Sequence, residues 1–567
     1  MIKIPKFSWQ FQPRLNPTLK LNLRFNLEFL LAIAIGLGVV LRILLIDQRE
    51  FWYDEVLSLL IAAGNRNAYL DPAAAEFPVL LSDYTALFNL PIENNVQDFL
   101  QNTENLLKSL WGEPHPPLFY LGQHLWLQWF GQGVAATRSL NALLSIGTIL
   151  SSYGLGKVVL GHRGGLLLAA LIALNPFFLF HSLNARMYCP VVLWTTLSAW
   201  ALLTLIRHRK SPEPIPRSVQ IRWNLCLILA VACGLMTFYL FACFVLALGV
   251  LAVFLERKRS WRSLLPIVVG VLLTLPWMVW GLPRQLSNAD LDRFGLSTEL
   301  GTRLIQHLTG FLSTLGHLLI LGDWGADLSL SLQLIAGVAV AIIMGGCILS
   351  LARQQEYPSL ATGAILGIFP VFLALGLDLV NGNLTLSWGA GRSVIFILPG
   401  CLLLLGIWME LTAGRWRVPA VLGLLLLYGT VSIGDYTLRQ RTGMATVSRV
   451  VNQDITQPTL IAMSARGWGH VMRLAYYIDP NAAVMLLAKP APELADGLTN
   501  QARQFPRVIL LDSFNPAYSD PPSTEGERQE IWDIMQRSQM QLISKEQLSG
   551  TIDIDRFTMS VYERIRR

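Results

Sequence analysis

Apolar and polar positions alternate along this chain in blocks rather than in single residues. Long apolar runs occupy 28 to 46, 117 to 130, 134 to 158, 225 to 255, 263 to 281, 331 to 351, 359 to 377, 394 to 410 and 418 to 435, with short basic or acidic segments between them. Runs of this length and apolarity predict transmembrane helices, because the hydrocarbon core of a bilayer takes about 20 apolar residues in helical form. The stretch 225 to 255 is too long for one crossing, and its flanks Arg207 to Arg222 and Glu256 to Arg262 are both basic. It predicts a hairpin of two short helices turning near Thr237-Phe238-Tyr239. The pair 117 to 130 and 134 to 158 predicts one net crossing, the first segment entering only partly. The amphipathic stretch 303 to 321 predicts a helix lying along the membrane. The total comes to about 11 to 13 spans.

After Tyr436 the pattern changes to that of a water-soluble unit. Thr459 to Met463, Ala483 to Leu487, Arg507 to Leu511 and Phe557 to Tyr562 read as short strands, Gly467 to His470 as a turn and Ser523 to Gln539 as a helix. The fold class expected is therefore a polytopic α-helical membrane protein with a small C-terminal α/β domain. Three regions follow: a basic tail at 1–27, a transmembrane domain at 28–435 with large loops at 47–116 and 282–330, and the α/β domain at 436–567.

Composition agrees with this division. Of 567 residues, 53% are hydrophobic and only 14% charged, and the mean hydropathy is +0.47, which excludes an ordinary soluble globule. The net charge of +7 sits mostly in short loops between runs, where it reports orientation rather than nucleic-acid binding. Lys3, Lys6, Arg14, Lys20 and Arg24 precede the first run without an acidic residue among them. This puts the N-terminus in the cytoplasm, and the loops at 47–116 and 282–330 and the C-terminal domain on the other side. The first run has no small-residue cleavage site after it and reads as an uncleaved anchor. Six cysteines, at 189, 226, 233, 243, 347 and 401, lie in or beside apolar runs without metal-ligand spacing and read as packing residues.

Candidate chemistry gathers at the outer ends of the runs. Asp54-Glu55 stands just past the first run, in Phe51-Trp52-Tyr53-Asp54-Glu55. A carboxylate in hydrocarbon costs several kcal/mol, so two adjacent acids at a span's mouth are either solvated or kept for chemistry. Glu113-Pro114-His115-Pro116-Pro117 ends the large loop; its prolines fix the entry into the next helix, and Glu113 and His115 either simply flank that helix start or bind a metal or a phosphate. Asn184-Ala185-Arg186-Met187-Tyr188 joins two apolar runs on the outer side, where basic-residue topology gives no reason for an arginine. Arg186 beside Tyr188 is either a snorkelling side chain or a phosphate ligand. Trp388-Gly389-Ala390-Gly391-Arg392 repeats that situation before another run. The C-terminal domain holds no phosphate loop, nucleophile elbow or zinc spacing.

This order of motifs, an acidic pair after the first span, His-Pro-Pro at the second, Leu-Asn-Ala-Arg-Met-Tyr at a junction and a late Gly-Arg before a span, resembles the GT-C glycosyltransferases over residues 25 to 400. The nearest group is family 39 and its bacterial relatives, which include protein O-mannosyltransferases and the aminoarabinose transferase of lipid A. The resemblance implies transfer of a sugar from a polyprenyl-phosphate donor to a hydroxyl on a lipid, glycan or protein acceptor, at the outer face of a bacterial plasma membrane and with inversion. It further implies Asp54 as general base with Glu55 assisting it. By the same resemblance His115, with Glu113, would lie near the donor phosphate or a divalent metal, and Arg186, Tyr188 and Arg392 would lie around the leaving lipid phosphate. Neither a nucleotide nor nucleic acid is implied as a partner. No outward Asp-x-Asp accompanies these motifs, so a metal is not required by them. The Pro-Pro after His115 departs from the lysine-containing pattern of aminoarabinose transferases and weakens a lipid A role. The alternative is a transporter or flippase of a lipid-linked intermediate, which predicts broken or charged helices near the midplane and repeated halves; neither stands out.

Overall fold

The computed structural model describes residues 21–212, 216–288, 300–386, 388–517 and 520–565. The basic residues Lys3 to Lys20, and 289–299 within the second large loop, lie outside the described residues. The chain is an integral membrane protein. Among the described residues nine helices are long and apolar enough to cross a bilayer, or ten with the bent pair Trp261–Leu272 and Leu275–Ser287, which turns by 50°. The shortfall from the expected 11 to 13 has identifiable sources. Phe241–Glu256, at 16 residues, is shorter than an average span yet follows Arg217–Thr237 in the expected hairpin. Val134–Leu174 counts as one helix although it folds back on itself at Gly161, whose φ of 83° breaks the helical path.

That fold-back is fixed by Arg42, which is fully buried. Its guanidinium donates to Ser145 Oγ at 2.9 Å and to Ala173 O at 2.7 Å. In a straight helix those residues would stand roughly 40 Å apart. The two limbs approach so closely that a Cβ on Gly156 would lie 2.6 Å from Gly164 O. The preceding helix, Leu118–Phe130, has 13 residues and is too short to cross, in keeping with one net passage before the hairpin.

The helix Leu300–Gly316 belongs to the segment 301–327, which is long and apolar enough to span. Arg303 donates to Leu379 O, in the last turn of helix Phe369–Asn381, at 3.2 Å, and Thr314 packs on Gly391. The helix also packs on Leu330–Arg353, where a Cβ on Gly337 would meet Leu312 O, and the stretch expected to lie along the membrane has the length and apolarity of a span.

The C-terminal unit is built on a six-stranded sheet in the order β1-β3-β2-β4-β6-β5. The strands are β1 (Val79–Leu80), β2 (Thr459–Met463), β3 (Val484–Ala488), β4 (Arg507–Ser513), β5 (Met540–Leu548) and β6 (Phe557–Arg564). β2 pairs in parallel with both β3 and β4, while β6 runs antiparallel between β4 and β5. Period-2 alternation assigns the faces. Ile461 and Met463 pack with Val471 and Leu474 of helix Trp468–Tyr477, whereas Leu460 and Ala462 pack with Leu494, Ile531 and Ile534 of the outer helices.

Three details depart from the sequence reading. Gly467 to His470 is not a turn: Trp468 opens a ten-residue helix. β5 was not expected, because all its interior residues are exposed and no buried alternation marks it. The sheet is not confined to residues after 436, since β1 comes from the large loop at 47–116 and pairs antiparallel with β3, Val79 opposite Leu486. The helix at 523–539 forms as Glu525–Arg537, started by a Thr524–Glu527 capping box.

Candidate active site

The two adjacent acids point in opposite directions. Glu55 is fully buried at the start of helix Glu55–Ala62. Arg138 grips its carboxylate with Nε and Nη2, both at 2.8 Å, and the N–H groups of Trp52 and Ala185 donate to it at 2.8 Å each. Burial pushes the Glu55 carboxyl up, but Arg138, Arg441 and the Trp52 N–H together hold it below the usual carboxylate range. Glu55 thus ties the 52–55 turn to two other parts of the chain and does not reach the cleft. Asp54, one residue earlier, makes no cap bond to that helix. Its side chain is 20% exposed and meets the Arg392 guanidinium at 3.2 Å.

Arg392 is presented by a strained turn. Gly389, Ala390 and Gly391 all have positive φ (57°, 60° and 82°), a cost for Ala390 that persists only where the surroundings enforce it. A Cβ on Gly391 would lie 2.5 Å from Thr314. The guanidinium stands over the rings of Trp52 at 4.6 Å and Tyr188 at 5.5 Å, which orients it while leaving its edge toward Asp54.

Arg186 comes from the opposite wall. Asn141 donates to Arg186 O at 2.7 Å and so fixes the 184–186 turn against helix Val134–Leu174. The Arg186 side chain reaches Asp54 O at 3.3 Å, Tyr120 OH at 3.3 Å, Ser58 Oγ at 3.4 Å and Glu113 Oε1 at 3.4 Å. Burial works against its charge, but Tyr120, Asp54 and Glu113 outweigh it and the guanidinium stays cationic. Glu113 also bonds His115 Nδ1, whose ring stacks on Phe238 at 5.9 Å. Burial pulls the His115 imidazole below its ordinary value despite Glu113, so it is neutral at pH 7. Asp54, Glu113, His115, Arg186, Tyr188 and Arg392 therefore share one cleft, with Glu55 behind it.

Among the described residues no three His, Cys, Asp or Glu side chains converge, and the two candidate ligands, Glu113 and His115, have Arg186 beside them.

Two contributors escaped the sequence reading. Arg138 is one; its signal was the one that exposed Arg186, an arginine at the outer end of an apolar run. The other is the C-terminal domain. Phe51 N–H donates to Tyr477 OH at 2.8 Å and Phe51 O accepts from Arg473 at 3.3 Å. The Tyr53 ring lies 4.9 Å from Trp468 and 4.8 Å from His470. Helix Trp468–Tyr477 thus clasps the residues that lead into Asp54. A Cβ on Gly469 would fall 2.7 Å from the Tyr53 ring. Gly469→Val is expected to lower turnover by about tenfold or more through displacement of Tyr53, since small misplacements near reacting groups are costly. Activity assays paired with a melting curve check this; unchanged turnover would mean the clasp does not set Asp54.

Residues 114–280 match the family of dolichyl-phosphate-mannose-protein mannosyltransferases. The match covers less than a third of the chain, so the likeness to that family is one of this segment. The matched segment carries His115, Arg186 and Tyr188, and stops short of Arg392. No curated protein matches this chain by sequence. Among solved structures it is similar to ArnT from Cupriavidus metallidurans bound to undecaprenyl phosphate, at 11% identity and a TM-score of 0.39, covering 93% of this chain and 97% of that one. It is also similar to the oligosaccharyltransferase AglB from Archaeoglobus fulgidus in complex with an inhibitory peptide and a dolichol-phosphate, at 12% identity and a TM-score of 0.46, covering 87% and 70%. A third likeness, 15% identical with a TM-score of 0.36, is to the arabinofuranosyltransferase AftD from Mycobacteria, covering 95% of this chain and 42% of that one.

Proposed function

We propose that this chain is a glycosyltransferase that moves a sugar from a polyprenyl-phosphate donor to a hydroxyl acceptor, with inversion, on the face of the membrane that carries Asp54. The observation that supports it is the meeting of one accessible carboxylate, Asp54, with two arginines, Arg186 and Arg392, in a single cleft. In the step proposed, Asp54 takes the acceptor hydroxyl proton as that oxygen bonds to the anomeric carbon. The bond from the anomeric carbon to the phosphate oxygen breaks, and its electron pair leaves on the lipid phosphate. A single displacement of this kind inverts the centre. Arg186 and Arg392 supply fixed positive charge where the phosphate charge develops, and Tyr188 and His115 line the same pocket. The donor phosphate competes with Asp54 for Arg392, which frees the carboxylate as the donor binds. In this reading the basic N-terminal segment places the Asp54 face outside the cytoplasm.

The test is turnover of undecaprenyl-phosphate-linked sugars by the purified protein, read as release of undecaprenyl phosphate. Arg186→Ala and Arg392→Ala are each expected to weaken undecaprenyl phosphate binding by about ten- to a hundredfold, as for loss of a charged hydrogen bond. Turnover of nucleotide sugars instead would sink the donor assignment, and movement of intact lipid-linked sugar without cleavage would make the chain a transporter.

A further inference from the structure

The loop that carries Glu113 and His115 is held by a residue from a distant helix. Gln285, in helix Leu275–Asn288, is 1% exposed. Its Nε2 donates toward three backbone carbonyls at once, Leu110 O at 3.1 Å, Glu113 O at 2.7 Å and His115 O at 2.8 Å. A side-chain amide has two N–H groups, so at least one is shared and the loop curls around a single nitrogen. The orientation of the amide is set from behind. Gln285 Oε1 accepts from Tyr239 OH, which in turn accepts from Trp277 Nε1 at 2.8 Å. The reverse orientation would set an oxygen against three carbonyls.

The loop needs this support because it cannot supply its own. Pro114, Pro116 and Pro117 have no N–H to close turns among themselves. The backbone bond available nearby, Glu113 N–H to Leu110 O at 3.0 Å, shapes only the start. The carboxylate and imidazole that face Arg186 therefore stand where Gln285 puts their backbone.

We propose that Gln285 is a positioning residue for the Glu113–His115 pair, and through it for the donor phosphate. This rests on the polyprenyl-phosphate reading above. Gln285→Leu removes the donors, and Gln285→Glu keeps the shape while facing a carboxylate toward three carbonyls. Both are expected to weaken undecaprenyl phosphate binding by about tenfold, the equivalent of one lost hydrogen bond. A residue that merely fills space would add its effect to that of His115→Ala. A positioning residue would not, so Gln285→Leu in the His115→Ala background is expected to change affinity no further. Wild-type affinity in both Gln285 variants, or full additivity with His115→Ala, overturns the proposal while leaving the donor reading intact. Failure of the wild-type protein to bind undecaprenyl phosphate overturns the donor reading and this inference with it.

Discussion

Asp54→Asn is expected to cut sugar transfer by about a hundred- to ten-thousandfold, the range that a general base contributes, while the protein folds and still binds undecaprenyl phosphate. Asparagine has nearly the same shape but cannot take a proton from a hydroxyl. The binding half of the prediction follows from the ion pair. Asp54 meets Arg392 at 3.2 Å, so removing its charge releases the guanidinium to the phosphate, and affinity is expected to hold or rise. A variant that loses binding and turnover together would instead make Asp54 a structural partner of Arg392. Turnover at the wild-type level would remove Asp54 from the chemistry altogether. The fold of the variant is checked by its melting temperature, which should stay close to wild type because the side chain makes no cap bond and is partly exposed.

What could be read from the sequence divides along a physical line. Helices announce themselves by apolar length, and strands β2, β3, β4 and β6 by short apolar runs between turn residues, because burial acts on contiguous segments. Asp54, Glu113, His115, Arg186 and Arg392 could be singled out one by one because each is polar at the end of an apolar run, where polarity needs a reason. Pairing leaves no such mark. Nothing local says that Glu55 faces Arg138, 83 positions away, or that Gln285 reaches back to residue 113. The apolar run 134 to 158 ends just before Gly161, but that the chain folds back on itself there shows only in the φ of Gly161 and the contacts of Arg42. The C-terminal domain's hold on Phe51 and Tyr53 depends on bare backbone at Gly469, whose meaning appears only when the neighbouring ring is known.

The largest effect on stability is expected at Arg138. All five of its N–H groups are engaged: two on Glu55, two from Nη1 on Ile46 O at 3.0 Å and Arg49 O at 2.8 Å, and one from Nη2 on Glu50 O at 3.0 Å. The side chain is therefore both counter-ion to a buried carboxylate and cap for the chain leaving the first span. Arg138→Met keeps much of the volume but leaves the buried Glu55 carboxylate without its bidentate partner, with only Arg441 at 3.8 Å and two backbone N–H groups to offset its charge. Removing one partner of a buried pair costs about 3–5 kcal/mol elsewhere. The expected outcome is a markedly lower melting temperature and poor recovery of folded protein. Arg138→Lys should fail nearly as badly, because three donors on a flexible stem cannot replace a planar fork that serves five acceptors. Glu55→Gln added to Arg138→Met removes the buried charge and should restore part of the stability without restoring activity, since the Ile46 and Arg49 carbonyls lose their Arg138 donors and the turn into Asp54 stays loose. Equal melting temperatures for Arg138→Met and the double variant would show that the carbonyl contacts, and not the ion pair, hold this turn.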